Sequence, residues 1–223
     1  MTECDNCPLG RKRTDKLWKI SKQFGEMDGG SHGPDHSERV YSMALSIGRQ
    51  LQARLDILAA AALLHDIGRR HETESKGNIC HARKSAEMAR PILEQLGFTP
   101  NDIEAIQHCI RSHRFRGREK PQSLEARILF DADKLDSIGA VGIGRAFLFA
   151  GQIGAKLHDA EIDHGTTLAY SNEDTAYREF QVKMSRVQDQ ILTDPGKKIA
   201  HQRHLFMEIF FDELNREIYG SDI

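Results

Sequence analysis

The sequence predicts an all-α fold, and two observations support that prediction. Apolar residues recur at three- and four-residue steps through most of the 223 residues. Alternating runs rich in β-branched residues, which are typical of half-buried strands, are nearly absent. Within residues 36–51, for example, Val40, Ala44 and Ile47 lie on one helical stripe. We therefore expect about eight or nine helices.

Capping and breaking residues place most of the helix ends. Thr99 and Ser123 supply hydroxyl groups that cap helices, whereas Pro91 predicts a kink or a break inside one. We expect helices over residues 14–27, 36–51, 54–68, 81–97, 100–113, 123–139, 173–192 and 195–218. Residues 154–172 are expected to form an exposed loop. The predicted organisation is a flexible tail over residues 1–13 and one domain over 14–223, with the helix pair 173–220 as a candidate subdomain.

Charge and hydropathy exclude several classes of protein. The 31 basic and 33 acidic residues give a net charge of −2, which argues against a protein that coats nucleic acid or a membrane surface. No apolar run approaches the roughly 20 residues of a membrane span, and the first sixteen residues lack the apolar core of a signal peptide. We expect a cytoplasmic protein that binds a small molecule rather than nucleic acid or membrane.

Cys4 and Cys7 form a CxxC motif, but no second ligand pair follows at close spacing. A mobile tail with two ordinary thiols is the favoured interpretation. A metal site or a disulfide is the alternative.

Two histidines and two aspartates indicate a divalent metal site. Asp66 ends the most apolar helix of the chain, and Asp133 follows an apolar stretch. A buried carboxylate needs a cation or a full set of hydrogen bonds. With His36 and His65 these aspartates form an N2O2 set that leaves two positions of an octahedral ion open. Such ligands suit Mn²⁺, Fe²⁺, Co²⁺ or Ni²⁺, and Mg²⁺ less clearly. From spacing alone, ordinary capping and surface residues are an equal alternative.

The same motifs resemble a known family. His36 in GPDHSERVY, the doublet in ALLHDIGR and the aspartate in DADKLDSIG follow the H…HD…D order of the HD-domain phosphohydrolases. Residues 131–145 and 193–218 are also similar to segments of a bacterial and archaeal branch of predicted HD-superfamily hydrolases. The resemblance covers about residues 20–220 and implies an HD-type helical bundle. It departs at residues 179–184, where that branch has a histidine-aromatic pair before the lysine.

The resemblance also assigns roles to individual residues. It implies that the metal ligand within DADKLD is Asp133, that Lys134 meets a phosphate, and that Asp136 orients a ligand or a ribose. Asp131 lies about 160° from Asp133 around a helix, and we expect it to be structural. Three further basic residues could stabilise the negative charge that develops on the phosphoryl group, namely Arg39, Arg69 and Arg145. Each of them is equally well explained as a surface side chain.

Two more histidines lie at predicted helix ends. His81 begins a helix and His113 ends one. In related HD enzymes, histidines at similar places bind a second metal or act as general acid. We therefore include both with Asp66 and Lys134 as catalytic candidates. His108 lies about 140° from His113 around the helix, so the two cannot easily face one site, and we prefer His113.

The predicted activity is metal-dependent hydrolysis of a phosphoester or phosphoanhydride, most plausibly in a nucleotide, by a metal-activated water. Two alternatives belong to other classes. One is a di-iron oxygenase, in which His81 and His113 bind a second iron beside a bridging Asp66. The other is a nonenzymatic nucleotide-binding sensor. The sequence leaves open whether the protein forms a homodimer.

Overall fold

The structure, a computed structural model, describes residues 8–28, 34–114, 119–159, 167 and 171–220. Within these ranges the regular elements are all helical, which confirms the predicted fold class. The helices are α1 (Arg11–Asp28), α2 (Pro34–Gln50), α3 (Leu55–Leu64), α4 (Arg69–Glu74), α5 (His81–Gln95), α6 (Pro100–Ser112), α7 (Leu124–Leu135), α8 (Gly139–Gln152), α9 (Ala176–Val182) and α10 (Asp194–Tyr219). Two 3₁₀ turns, Met184–Arg186 and Gln188–Gln190, follow α9.

The chain divides into two compact units, residues 1–133 and 134–223. In the first unit, α3 packs against α1, α2, α5 and α6. All of its residues from Ile57 to Leu64 are buried, as expected for a helix that is apolar on every side. The C-terminal end of α3 is therefore held firmly by the core around it.

In the second unit, α8 packs against α9 and α10. Phe180 of α9 stacks on Phe211 of α10 with 4.6 Å between ring centroids. Arg178 and Asp174 form a buried ion pair at 2.7 Å. The predicted domain limits, residues 14–223 with a candidate subdomain from residue 173, stay predictions. The tail residues 1–7, with Cys4 and Cys7, lie outside the described residues.

The predicted caps are present. The backbone N–H of Asp102 donates to the hydroxyl of Thr99 at 3.2 Å, and that of Ala126 donates to the hydroxyl of Ser123 at 3.1 Å. Helix α5 continues through Pro91, which lies on its exposed face, so the predicted break does not occur.

Two other features differ from the sequence-based expectation. Helix α4 was not predicted, because none of its residues is buried and it has no apolar stripe to reveal it. The helix expected over 173–192 is divided into α9 and the two 3₁₀ turns, because Lys183 leaves the helical region with φ −136°. The described helices include none with the length and hydropathy needed to cross a bilayer.

Candidate metal centre

The four predicted metal ligands lie together in the N-terminal unit. His36 is in the first turn of α2 and is 1 % exposed, and His65 is the fully buried residue at the C-terminal end of α3. Asp66 follows directly in the turn before α4, and Asp133 lies in the last turn of α7. The four candidate ligands therefore lie on or directly after three helices, α2, α3 and α7.

The donor atoms of these residues converge. His36 Nε2 lies 3.3 Å from His65 Nε2 and 3.4 Å from Asp133 Oδ1. Asp66 Oδ2 is 3.8 Å from Nε2 of each histidine, and His65 Nε2 is 4.0 Å from Asp133 Oδ1. We call these four residues the first donor group.

Asp66 also takes part in a second donor group, with His81 and His113. Its Oδ1 atom lies 3.4 Å from His81 Nε2 and 3.6 Å from His113 Nε2. The two imidazole Nε2 atoms are 3.2 Å apart. Both histidines are almost fully buried, and they lie at the start of α5 and the end of α6. Asp66 thus presents one carboxylate oxygen to each donor group.

Hydrogen bonds to the opposite ring nitrogen orient two of the histidines. His65 Nδ1 lies 2.8 Å from the carbonyl oxygen of Ala62, and His113 Nδ1 lies 2.6 Å from that of Ile110. Each acceptor belongs to the last turn of a helix, where the backbone leaves carbonyls without helical partners. A carbonyl only accepts, so Nδ1 carries the proton and Nε2 keeps its lone pair. Both imidazoles therefore present a metal-binding atom to the cluster.

His81 is oriented by a carboxylate instead. Glu72 Oε2 accepts hydrogen bonds from the backbone N–H of His81 at 2.9 Å and from His81 Nδ1. Glu72 Oε1 accepts from Arg114 Nη2 at 2.7 Å. Partners of this kind fix the orientation of a ligand histidine and raise its basicity. Glu72 and Arg114 were not predicted from the sequence, because Glu72 lies in a polar stretch without periodicity and no spacing motif links it to His81.

The electrostatics of the cluster favour ligand protonation states. Burial lowers the pKa of His65 and of His81 to about 4, so both imidazoles are neutral at pH 7. Burial opposes ionisation of Asp66, but the positive charge of Arg69 and the imidazoles around it hold the pKa of that carboxyl well below its usual value. Neutral imidazoles and an ionised carboxylate are the forms that bind a metal ion.

The donor set also fits the size of a divalent transition-metal ion. Metal–nitrogen and metal–oxygen bonds of about 2.1 Å place adjacent ligand atoms about 3.0 Å apart and opposite ones about 4.2 Å apart. The separations given above, which run from 3.2 to 4.0 Å and each involve at least one imidazole nitrogen, lie between these limits. His36, His65, Asp66 and Asp133 could hold one ion, and Asp66, His81 and His113 could contribute to a second.

The three arginines suggested for phosphate binding already contact carboxylates. Arg69 Nη2 donates to Asp66 Oδ2 at 3.0 Å, so it lies beside the first donor group. Arg39 Nη1 pairs with Asp35 at 2.5 Å within α2. In the C-terminal unit, Arg145 Nη1 donates to Asp136 Oδ2 at 2.6 Å, and Lys134 lies in the last turn of α7. A role in substrate binding stays a prediction for Arg39, Arg69, Lys134, Asp136 and Arg145.

His108 and Asp131, which the sequence did not favour as site residues, lie outside both donor groups. His108 Nδ1 pairs with Glu119 Oε1 at 2.8 Å, and its Nε2 accepts from the backbone N–H of Gln122 at 3.1 Å. It belongs to neither donor group, whereas His113 does. Asp131 is fully buried in α7 and belongs to neither group.

Comparison with known proteins places this cluster in a family. The model of the HD domain matches residues 35–138, which include every residue of both donor groups. YpgQ of Bacillus subtilis strain 168 is 34 % identical over 211 residues, which cover 93 % of each chain. The crystal structure of B. subtilis YpgQ in complex with ADP is similar with a TM-score of 0.72 and 28 % identity, and it covers 95 % of this chain and 98 % of that one.

A second solved structure gives the same result. It is an HD-superfamily hydrolase from Bacillus thuringiensis, with a TM-score of 0.73 and 26 % identity over 93 % of this chain and 97 % of that one. The identity to YpgQ extends over nearly the whole length, and the fold and the order of the ligands agree with the HD domain. The protein therefore belongs to the HD-superfamily hydrolases.

Proposed function

We propose that this protein is a metal-dependent phosphohydrolase that cleaves a phosphoester or phosphoanhydride bond of a nucleotide. One observation supports the proposal above the others: Asp66 presents one carboxylate oxygen to each of two buried groups of imidazole donors. A carboxylate shared in this way is suited to hold two divalent ions side by side, an arrangement that recurs in phosphatases and nucleases.

In the proposed reaction, the oxygen of a water molecule attacks phosphorus and the bond from phosphorus to the leaving oxygen breaks. A bound divalent ion lowers the pKa of a coordinated water and polarises a phosphoryl oxygen. The protein contributes orientation: the hydrogen bonds to Nδ1 of His65, His81 and His113 hold each Nε2 towards the cluster. Arg69, which already contacts Asp66, is a candidate to stabilise the negative charge that develops on the phosphoryl group.

A nucleotide is the proposed substrate because of a relative. YpgQ, which is similar over almost the full length, has been solved in complex with ADP. We propose that this chain also binds a nucleotide through its phosphates. Arg39, Lys134 and Arg145 are the further candidates for the phosphates, and Asp136 is the candidate for a ribose hydroxyl.

The test is a screen of nucleoside mono-, di- and triphosphates with Mn²⁺, Co²⁺, Ni²⁺ and Mg²⁺, in which released phosphate and pyrophosphate are measured. Asp66→Asn removes the shared carboxylate charge, and His113→Gln removes one imidazole of the second group. His108→Gln is the matched control, because it changes a histidine on the same helix that lies outside both donor groups. We expect turnover to be lost in the first two variants and kept in the control.

Two results would contradict the proposal. One is the absence of phosphate or pyrophosphate release with every nucleotide and metal, although metal binding is observed. The other is turnover by Asp66→Asn that equals that of the wild type.

The second donor group also fits a different reaction class. A di-iron oxygenase needs a bridging carboxylate and imidazole ligands for a second iron, and Asp66, His81 and His113 offer this set. Oxygen consumption and an iron-dependent visible spectrum would support the oxygenase. Phosphate release under strict anaerobiosis would exclude it as the main activity. Nucleotide binding without any turnover would instead support the sensor.

A further inference from the structure

Helix α4 and the residue before it are hydrogen-bonded to α5 at two points. The helix packs against α5 but has no buried residue, so specific contacts rather than an apolar face hold it there. One contact is that of Glu72 with His81, described above. The other lies at the N-terminal end, where the backbone N–H of Gly68 donates to the hydroxyl oxygen of Ser85 at 2.9 Å. These contacts join the segment that follows Asp66 to the helix that begins with His81.

The contact between Gly68 and Ser85 is buried and unusually close. Ser85 is fully buried in α5, and its hydrogen bond to Gly68 is buried as well. A Cβ atom on Gly68 would lie 2.6 Å from the backbone nitrogen of Ser85 and 3.0 Å from the carbonyl oxygen of His81. Because glycine has no Cβ atom, the turn before α4 can lie directly on the backbone of α5. The hydroxyl of Ser85 therefore bonds two backbone segments that are already in contact.

This contact lies next to the residues that form the second donor group. Gly68 is two residues after Asp66, and Ser85 is four residues, about one helical turn, after His81. Asp66 Oδ1 and His81 Nε2 are 3.4 Å apart. Asp66 follows the buried helix α3, so a displacement of α5 would move His81 relative to Asp66. The first donor group has no ligand on α5, and such a displacement would leave it in place.

Removal of the hydroxyl would disturb this spacing. The N–H of Gly68 would then be buried without its acceptor, which is costly enough to make the two segments separate or rearrange. Metal–ligand distances tolerate changes of only about 0.2 Å. A small movement of α5 is therefore sufficient to weaken a metal ion held by both Asp66 and His81.

We propose that Ser85 is a positioning residue of the second donor group. Its hydroxyl holds the first turn of α5 against the turn after Asp66, and so sets the distance from His81 to the shared carboxylate. Ser85 acts through Gly68 rather than on the metal ion or the substrate. The proposal rests on the second donor group of the proposed function, but not on the reaction that takes place there.

Calorimetric titration of the metal-free full chain with Mn²⁺ tests the proposal. The wild type is expected to bind two ions per chain. Ser85→Ala removes the hydroxyl and little volume, and in this variant the ion at the second donor group should bind about 10- to 100-fold more weakly. The ion at the first donor group should bind as in the wild type.

Electron paramagnetic resonance gives a second measurement that does not depend on activity. At a protein concentration and Mn²⁺ load that fill both groups of the wild type, the two ions share a carboxylate and should give the spectrum of a coupled pair. At the same load, Ser85→Ala should show the hyperfine pattern of an isolated ion. A general loss of stability would not produce this change, because it would release both ions together.

Ser112 provides the matched control. It is a fully buried serine in α6, directly before His113, and its hydroxyl donates to the carbonyl oxygen of His108 at 2.7 Å within its own helix. Ser112→Ala thus removes the same atom at the same depth, but breaks no hydrogen bond between α6 and another element. Both binding steps should equal those of the wild type.

A double variant tests whether the two contacts with α5 act together. In Ser85→Ala the contact of Glu72 still joins α4 to α5, and in Glu72→Gln the contact of Ser85 does so. When both are lost, neither contact holds His81 near Asp66. Ser85→Ala/Glu72→Gln should therefore weaken the second ion by more than the product of the two single effects.

Three results would overturn the role proposed for Ser85. These are wild-type affinity for both ions in Ser85→Ala, equal weakening of both ions in that variant, and a loss in Ser112→Ala as large as that in Ser85→Ala. A wild type that binds only one ion also overturns it, because there is then no second ion to position. A wild type that binds two ions but hydrolyses no nucleotide contradicts the proposed function instead, and the comparison of Ser85→Ala with Ser112→Ala still decides the role of Ser85.

Discussion

The hydrogen bonds of Glu72 allow a quantitative test of the second donor group. Glu72 Oε2 accepts from the backbone and from Nδ1 of His81, and Oε1 accepts from Arg114. Glu72→Gln keeps the shape of the side chain but removes its charge and places an amide NH₂ group against one of these donors. A hydrogen bond to a charged group contributes about 1.5–3 kcal/mol. A loss of that size corresponds to a metal affinity about 10- to 100-fold lower, which is the usual effect of removing such a partner.

The assay is a calorimetric titration of the metal-free protein with Mn²⁺. We expect two ions per chain in the wild type. In Glu72→Gln, the ion at the second donor group should bind about 10- to 100-fold more weakly, and the ion at the first group should bind as before.

The chain provides a matched control for this substitution. Glu119 accepts hydrogen bonds from His108 Nδ1 and from Arg111, in the same glutamate–histidine–arginine arrangement, but outside both donor groups. Glu119→Gln should therefore leave both binding steps unchanged. The reasoning is refuted if Glu72→Gln binds two ions with wild-type affinities, or if Glu119→Gln weakens binding as much as Glu72→Gln does.

Three further predictions concern stability and reactivity. Gly68→Ala would place a Cβ 2.6 Å from the backbone nitrogen of Ser85, so it should lower the free energy of unfolding by about 1–3 kcal/mol, as measured by urea denaturation. Gly144→Ala should raise the free energy of unfolding by about 0.5–1 kcal/mol in the same measurement, because the new Cβ meets open space and alanine favours the helical conformation of α8. Burial raises the pKa of Cys109 from 9.0 to about 12, which leaves very little of the reactive thiolate at pH 8. Iodoacetamide at pH 8 should therefore label Cys109 about a thousandfold more slowly than an ordinary thiol, as measured by mass spectrometry. Rapid labelling of Cys109 in the folded protein would contradict this prediction. His65 has a pKa of about 4 when folded and 6.5 when unfolded, so the unfolded chain binds the extra proton first. The contribution of His65 to the stability of the metal-free protein should be retained above pH 6.5 and fall by about 3 kcal/mol towards pH 4, and His81, whose pKa is also lowered to about 4, adds to the same loss. Urea denaturation in EDTA at pH 7, 5.5 and 4 would show the fall, and a pH-independent midpoint would refute it.

Most helices could be predicted because their signals are local. Apolar periodicity and capping hydroxyls act over three or four residues, and Thr99 and Ser123 cap their helices as expected. Helix α4 was not predicted because it buries no side chain, so its sequence carries no apolar periodicity. The division of residues 173–192 was not predicted either, because a change of backbone conformation at Lys183 has no signature in residue type.

The candidate ligands could be named from the sequence because metal binding requires particular residue types. The H…HD…D order of the family motifs identified His36, His65, Asp66 and Asp133. The angle between His108 and His113 around one helix indicated that only one of the two faces the site, and His113 was preferred. The partners that orient the ligands could not be named. Carbonyl acceptors carry no sequence information, since every residue has one. Glu72 is one of many glutamates in polar stretches, and only packing brings it against His81.

The sequence by itself determined that this protein is helical and which residues have the chemistry to bind a metal. The tertiary structure decided that Asp66 presents one oxygen to each of two donor groups, and that the apolar residues of α10 divide between a buried face and an exposed one. The physical reason is the range of the interactions. Helix formation and capping act between neighbours in the chain, whereas the donor groups join residues up to nearly one hundred positions apart. Their distances are set by how α2, α3, α5, α6 and α7 each take their place in the fold.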